Sequence, residues 1–355
     1  MMARWCAPAF ALLILFAPAA VRAEPEPARA PLPNNPVGIN LVRWLDPPFL
    51  RAAAELVNSN GGDWGYVTLI LVDQDRRDPA RFQALLDQCA VYHLTPIIRL
   101  ATSFDSVRQS WVRPNPYDAH LWRVFFDQLR WPTALRYLLV GNEPNLGREW
   151  GGAVDPAGYA RYLETWLDVF AYDQRYQIFN GALDASNDSL MPDRMDEFEF
   201  IAWMRATVPN IFTRLHGWAS SPYHFWWGTE RRYTYRAYES ELEAIGRELP
   251  VIVTEFHPAY IDDAVHIANW YETAIVHWLA DPRVIAFTPM FWNPESQRFW
   301  MYAVNRDGSV AQPSPTYERI RGFPKLAGSP QFRPLIENGA KLPGPPAATG
   351  PSSGP

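Results

Sequence analysis

The sequence predicts one large α/β domain, a (β/α)8 barrel, from three observations. Short apolar runs alternate with longer amphipathic segments along the chain, these pairs number eight, and no glycine-rich turn follows the first apolar run. Nearly continuous apolar runs read as strands buried on both faces. When each is followed by a helix, they imply a parallel sheet covered by helices. Eight such units fill a closed barrel. The rival arrangement, a doubly wound open sheet, usually carries a Gly-rich phosphate turn after its first strand, and "GINLVRW" (38–44) offers none.

The pairs run as follows. A strand at "VGINLVR" (37–43) precedes a helix over Pro48–Val57, and "YVTLILV" (66–72) precedes one over Pro79–Tyr92. The strand "TPIIRLA" (95–101) leads to a helix over Pro116–Leu129, and "LRYLLVGN" (135–142) to one over Pro156–Phe170. In the second half, "YQIFNGA" (176–182) is followed by a helix over Phe198–Thr207, and "TRLHGWAS" (213–220) by one over Arg236–Glu248. The strand "PVIVTEF" (250–256) then gives way to a helix over Ala264–Leu279, and "RVIAFTPMFW" (283–292) to a closing helix over Pro315–Gly322.

The flanks are of another kind. Residues 1–23 place Arg4 ahead of an apolar run and small residues ahead of a cut, which reads as a secretory signal peptide. That run is short for a membrane span and is broken by Pro8 and Pro18. Residues 24–35 read as a Pro-rich flexible linker, 36–325 as the barrel, and 326–355 as a flexible Pro- and Gly-rich tail. An extracytoplasmic location, secreted or periplasmic, is the expectation, with no membrane span left after cleavage.

The 355 residues are 48% hydrophobic, enough for one large core, and carry a formal charge of −6. No basic stripe is present to neutralise phosphates, so nucleic acid is not an expected partner. Cys6 lies in the leader, which leaves Cys89 alone and unable to form an internal disulfide; its spacing from Leu85 and Leu86 makes it a core thiol. Aromatic residues make up 14% of the chain, with 16 Trp. Part of that is expected in the core, and part as flat apolar surface in a cleft, suited to the C–H faces of sugars.

In an eight-fold barrel, chemistry gathers where the strands end at their C-terminal face. There the fourth strand presents Asn142 and Glu143, and the seventh presents Glu255. The sixth leads to Tyr223, the eighth ends on Trp292, and the third carries Arg99. Two carboxylates facing one another across a single mouth can divide their labour. One stays charged while the other, its pKa raised by its neighbour, keeps a proton to give. That is the equipment of glycosidic bond cleavage.

With "NEP" at the end of the fourth strand and a glutamate closing the apolar run of the seventh, the sequence resembles the clan A glycoside hydrolases over roughly residues 36–325, in the manner of cellulase-like families 5 and 39. The resemblance implies a retaining glycosidase with Glu143 as general acid/base, Glu255 as nucleophile, and Asn142 on the sugar 2-hydroxyl. It also implies that Tyr223, in "SSPYHF", hydrogen-bonds the nucleophile, and that Trp292, in "MFWNPE", floors the subsite of the reacting sugar. Two departures stand out: Ser221 replaces the histidine of the usual His-Pro-Tyr segment, and the second strand lacks an arginine that many members carry. Arg99 is the candidate for that charge. The implied partner is a poly- or oligosaccharide, met by a monomer without cofactor or metal. His216, His224 and His257 lie near strand ends, but their spacing fits no metal-ligand pair. Asp73–Asp78 read as a solvated loop rather than a calcium site. Two alternatives use the same features: a polysaccharide-binding protein that no longer turns over, and a transglycosidase.

Overall fold

The computed structural model describes residues 32–43, 45–185, 193–223, 230–258, 261–291 and 301–335. The leader, most of the linker and the tail beyond residue 335 lie outside the described residues. The barrel strands are β1 (Gly38–Asn40), β2 (Tyr66–Leu71), β3 (Thr95–Leu100), β4 (Arg136–Val140), β5 (Tyr176–Asn180), β6 (Trp218–Ser220), β7 (Val251–Val253) and β8 (Val284–Phe287). β1 to β5 pair in order as one parallel sheet, and β6 to β8 as a second. Two seams join them. Phe179 bridges Gly217 and Asp184 bridges Ser221 between β5 and β6, while Val37 bridges Phe287 and Asn40 bridges Met290 between β8 and β1, all parallel. The ring therefore closes with its strands in chain order.

Eight helices return the chain from strand to strand: α1 (Pro47–Val57), α2 (Pro79–Val91), α3 (Asp118–Asp127), α4 (Pro156–Phe170), α5 (Glu197–Thr207), α6 (Ala237–Ile245), α7 (Ala264–Ala280) and α8 (Pro315–Gly322). Their limits follow local chemistry. α1, α2, α4 and α8 open on proline, whose missing N–H costs nothing in a first turn. Asp78, Asp155, Asp196, Asp263 and Ser314 accept bonds from otherwise unpaired first-turn N–H groups. α6 stops at Gly246, which takes the left-handed conformation (φ 69°) that ends helices cheaply.

The structure differs from the sequence reading in three places. Residues 213–220 read as one strand, but Ile211–Arg214 form a helical turn and β6 begins only at Trp218. Ile211, Phe212 and Leu215 are all buried, so their apolar character marks burial without dictating extended backbone. The stretch after β3 folds into a small hairpin, Phe104–Asp105 against Ser110–Trp111, and Ala303–Val304 pairs with Val310–Ala311 in another. Third, residues 326–335, read as part of a flexible tail, pack across the N-terminal end of the barrel. There Gly328 N donates to Asp63 O (2.9 Å), Ala134 N donates to Pro330 O (2.8 Å), and Phe332 packs against the barrel interior.

The core has two layers. The larger lies between sheet and helices and holds Trp122, Trp166, Trp218 and Trp278, so much of the aromatic content is ordinary core. Cys89 is buried there too, and burial pushes its thiol up to about 12. The smaller layer fills the barrel itself: Tyr66, Ile97, Tyr137, Phe179, Ala219 and Ile252, with ring centroids of Tyr66–Tyr137 at 5.9 Å and Tyr137–Phe179 at 6.1 Å. Tyr66 donates its hydroxyl to Asn34 (2.9 Å), which in turn donates to Ile285 O (2.7 Å). The lower barrel is thereby a packed, aromatic plug, and the polar chemistry sits above it.

Candidate active site

The end of β4 is shaped by a double reversal. Gly141 has φ 97° and Glu143 has φ 37°, a left-handed conformation that costs a non-glycine residue roughly 1–2 kcal/mol. Surrounding bonds hold it. Glu143 N donates to Ala182 O (2.8 Å), and the Tyr159 hydroxyl donates to Val140 O (3.0 Å) while accepting from Gly181 N (2.6 Å). A Cβ on Gly181 would sit 2.8 Å from the Gly141 carbonyl carbon, so the ends of β4 and β5 can meet this closely only with glycine at 181. Behind Pro144, the fully buried Asn145 donates to Asp184 O (2.9 Å) and Met195 O (3.0 Å) and accepts from Asp184 N (2.9 Å). The result is a braced turn that aims Glu143 into the barrel mouth, where it is 5% exposed.

Glu255 enters the same mouth from the loop after β7 and is 6% exposed. Arg99 on β3 bonds one of its carboxylate oxygens, and the Tyr223 hydroxyl donates to the other (3.1 Å). The same Arg99 nitrogen donates to Asn142 Oδ1 (3.0 Å). One guanidinium thus ties the fourth-strand amide to the seventh-strand carboxylate. Glu143, Glu255, Asn142, Arg99 and Tyr223 all line one cleft of about 550 Å³. Of the residues singled out from sequence, Trp292 and His224 lie outside the described residues.

The two glutamates stand in different surroundings. Burial, and then the charges of Asp184, Glu255 and Glu149, push the Glu143 carboxyl well above its ordinary value, with Arg148 opposing. Burial, and then the charges of Glu255, Glu143 and Asp184, also raise the Tyr223 phenol, which stays a donor. Glu143 is therefore suited to hold a proton, and Glu255 is held by two donors with both oxygens engaged.

Sequence reasoning missed several polar residues of this cleft, Asp184, Arg148 and Glu149 among them. Asp184 lies four positions past the end of β5 and falls under the same strand-end rule that found Glu143. Arg148 and Glu149 sit in a 3-10 turn, Gly147–Glu149, whose course no spacing rule predicts. Arg148 reaches Glu143 (3.6 Å) and Glu149 (3.4 Å). Trp111 from the small hairpin, Pro114, Trp150 and Tyr162 supply apolar wall.

The two described histidines of the three, His216 and His257, share no contact. His216 Nδ1 accepts from Ile178 N (3.3 Å), with burial holding its pKa down, and His257 lies 6.2 Å from the Tyr271 ring. Among the described residues no three His, Cys, Asp or Glu side chains are grouped to hold a metal ion. Nor is any helix there long and apolar enough to cross a membrane. The acidic stretch after β2 is a 3-10 turn, Asp73–Arg77, in which Asp75 pairs with Arg43 (2.6 Å) and Asp73 lines the cleft.

No protein-family model matches the chain, and no curated protein matches it in sequence. Solved structures do. A family 128 (subgroup II) endo-β-1,3-glucanase from Sorangium cellulosum is 13% identical, with a TM-score of 0.51 over 81% of this chain and 97% of that one. A family 39 β-xylosidase from Caulobacter crescentus is 15% identical, with a TM-score of 0.57 over 82% and 72%. A fungal β-1,4-galactanase is 12% identical, with a TM-score of 0.54 over 82% and 100%. In fold, this is a (β/α)8 barrel like those of these glycoside hydrolases. The likeness is one of fold, and such a barrel carries chemistry only through its site.

Proposed function

We propose that this chain is a retaining glycoside hydrolase, acting outside the cytoplasm as a monomer on the O-glycosidic bonds of a neutral poly- or oligosaccharide. One observation carries the reading: two buried glutamates that follow β4 and β7 line a single cleft, one surrounded by negative charge and the other held by Arg99 and Tyr223. The β-glucanase, β-xylosidase and β-galactanase with which it shares its fold favour a β-linked sugar. The leader-like residues 1–23 favour export, and residues 36–325 are taken as the hydrolase domain.

In this reading Glu255 attacks the anomeric carbon while the glycosidic C–O bond breaks and Glu143 gives its proton to the departing oxygen. A covalent glycosyl ester on Glu255 results. Glu143, now a carboxylate, takes a proton from water as that water attacks the same carbon, which releases the sugar with its configuration retained. Arg99 and Tyr223 keep Glu255 aimed. Asn142 donates to the 2-hydroxyl, a contact that strengthens in the transition state. Retention calls for carboxyl groups about 5–5.5 Å apart, close enough to exclude a water between Glu255 and the sugar.

The test is hydrolysis of aryl β-glucosides, β-xylosides and β-galactosides, and of the matching polysaccharides, by the wild type and Glu255→Ala, with the first-formed anomer followed by NMR. A first product of retained configuration and loss of turnover in the variant are expected. Equal rates in the two proteins would end the nucleophile assignment. An inverted first product would end the double displacement.

A further inference from the structure

Among the described residues, the aromatic side chains lining the cleft are Trp111, Trp122, Trp150, Tyr162 and Tyr223, and all but one are already engaged. Trp122 is buried, with Phe126 stacked on it at 5.4 Å and the Arg76 guanidinium 5.0 Å from its ring centre. Trp150 and Tyr162 are buried against each other at 5.6 Å, and Tyr159 packs on Trp150 at 5.3 Å. Tyr223 is committed to Glu255. Trp111 is different. It is partly exposed, and its cross-strand partner Phe104, itself exposed, meets it at 72° with ring centres 5.4 Å apart. An edge-to-face neighbour props a ring upright and takes at most one of its faces.

The ring is fixed in place from two sides. Trp111 O accepts from Gly151 N (2.9 Å) in the loop that follows Glu143, and Gln74 Nε2, from the turn after β2, donates to Ser103 Oγ (2.6 Å). Gly151 has φ 76°, and a Cβ there would lie 2.8 Å from Arg113 Cβ, so hairpin and loop can lie this close only with glycine at 151. Val112 N donates to Ser103 O (2.9 Å), and Asp105 closes the hairpin turn by accepting from Val107 N (2.9 Å) and Arg108 N (3.1 Å). A surface held this way loses little freedom when a ligand lands on it.

A pyranose presents C–H groups on its flat faces and hydroxyls round its edge, and a free indole face is the apolar surface that matches it. Glu143 and Glu255 are buried in the mouth, whereas Trp111 stands on a hairpin whose other side chains, Phe104 and Val107, reach solvent. We propose that Trp111 is the platform of a second sugar subsite: it stacks on a neutral pyranose unit away from the scissile bond, so that the cleft selects a chain of several units over a single glycoside. The proposal rests on the glycosidase reading given above. It adds that the grip on the substrate depends on a hairpin that takes no part in breaking the bond.

The experiment measures kcat/KM on β-linked gluco-, xylo- and galacto-oligosaccharides of two to six units, and on the matching aryl monoglycosides, for the wild type, Trp111→Leu and Trp111→Phe. Leucine keeps apolar bulk in the hairpin but has no flat face; phenylalanine keeps the face. Wild-type kcat/KM is expected to climb with chain length and to level off once the second subsite is filled. Trp111→Leu should cost on the order of 10- to 10²-fold on the long substrates, as the loss of an aromatic anchor does, against a few-fold on the aryl monoglycoside. Trp111→Phe should recover most of that loss. In a Glu143→Gln background, Trp111→Leu should weaken the hexasaccharide Kd, read by calorimetry, by the same order. A flat length profile in the wild type, equal losses at every length, leucine as good as phenylalanine, or an unchanged hexasaccharide Kd would overturn the platform alone. A wild type inactive on every glycoside would overturn the function beneath it.

Discussion

β4 contributes to both ends of the barrel interior within seven residues: Tyr137 belongs to the aromatic plug, while Asn142 and Glu143 belong to the mouth. Both levels are almost closed to solvent, but burial acts on them in opposite senses. In the plug, rings leave water and pack edge to face, and burial stabilises the fold. In the mouth, Glu143, Glu149 and Glu255 leave water with their charges, and burial costs stability unless a proton or a cation compensates. The contrast teaches that the plug supplies stability which the mouth consumes, and that the proton on Glu143 is the product of that expense.

The largest expected effect breaks the mouth alone. Glu143→Gln removes the proton donor and should lower kcat/KM by about 10²–10⁴-fold, most on substrates with poor leaving groups. Glutamine is neutral without the cost of keeping a proton that the unfolded chain would lose at neutral pH, so the thermal midpoint should hold or rise. A substantial fall in midpoint would show that Glu143 stabilises the fold, and the contrast would fail.

The converse breaks the plug. Phe179→Ala empties space beside Tyr137 and should cost about 3–5 kcal/mol in denaturant unfolding, with kcat/KM per folded molecule within a few-fold of wild type. Loss of activity without loss of stability would mean that the levels are not separable.

A smaller change sharpens the electrostatics. Asp184 is the leading charge that raises Glu143, so Asp184→Asn should lower the Glu143 pKa. Glu143 must be protonated to act as an acid, and the alkaline limb of kcat/KM should therefore move to lower pH. Glu149→Gln should move it the same way by less. A limb that stays in place, or moves upward, would sever Glu143 from it.

The smallest effect tests a second buried pair, in the barrel wall. Glu241 accepts from Trp218 and Ser220 (3.0 Å), and Glu197 is fully buried 3.3 Å from Arg232. Burial lifts Glu241 from the ordinary 4.5 to about 7 and raises Glu197 as well. Between those pH values the folded state binds more protons than the unfolded chain, so stability should fall as pH rises from about 4.5 to 7 and level off for Glu241 above that. The thermal midpoint should drop by on the order of a few degrees across this window, and Glu241→Gln should flatten the drop. A midpoint that rises with pH through the window would refute it.

The parts of the molecule legible in the sequence are those governed by local pattern. α4 and α8 begin and end where proline and apolar spacing place them, and Glu143 and Glu255 were visible because each closes an apolar run. β6 was blurred because burial of Ile211 and Phe212 looks the same in a helical turn as in a strand. Asp184 was within reach of the strand-end rule and was passed over, while Arg148 and Glu149 were not visible because no spacing rule gives the course of the loop after β4. The packing of residues 326–335 escaped notice because it depends on Asp63 and Ala134, far away in the chain.

Asn34 near the start of the described chain and Phe332 near its finish both close the same end of the ring, the one opposite the cleft. A tether joined close to either residue would therefore leave from the closed end of the ring and keep clear of the mouth.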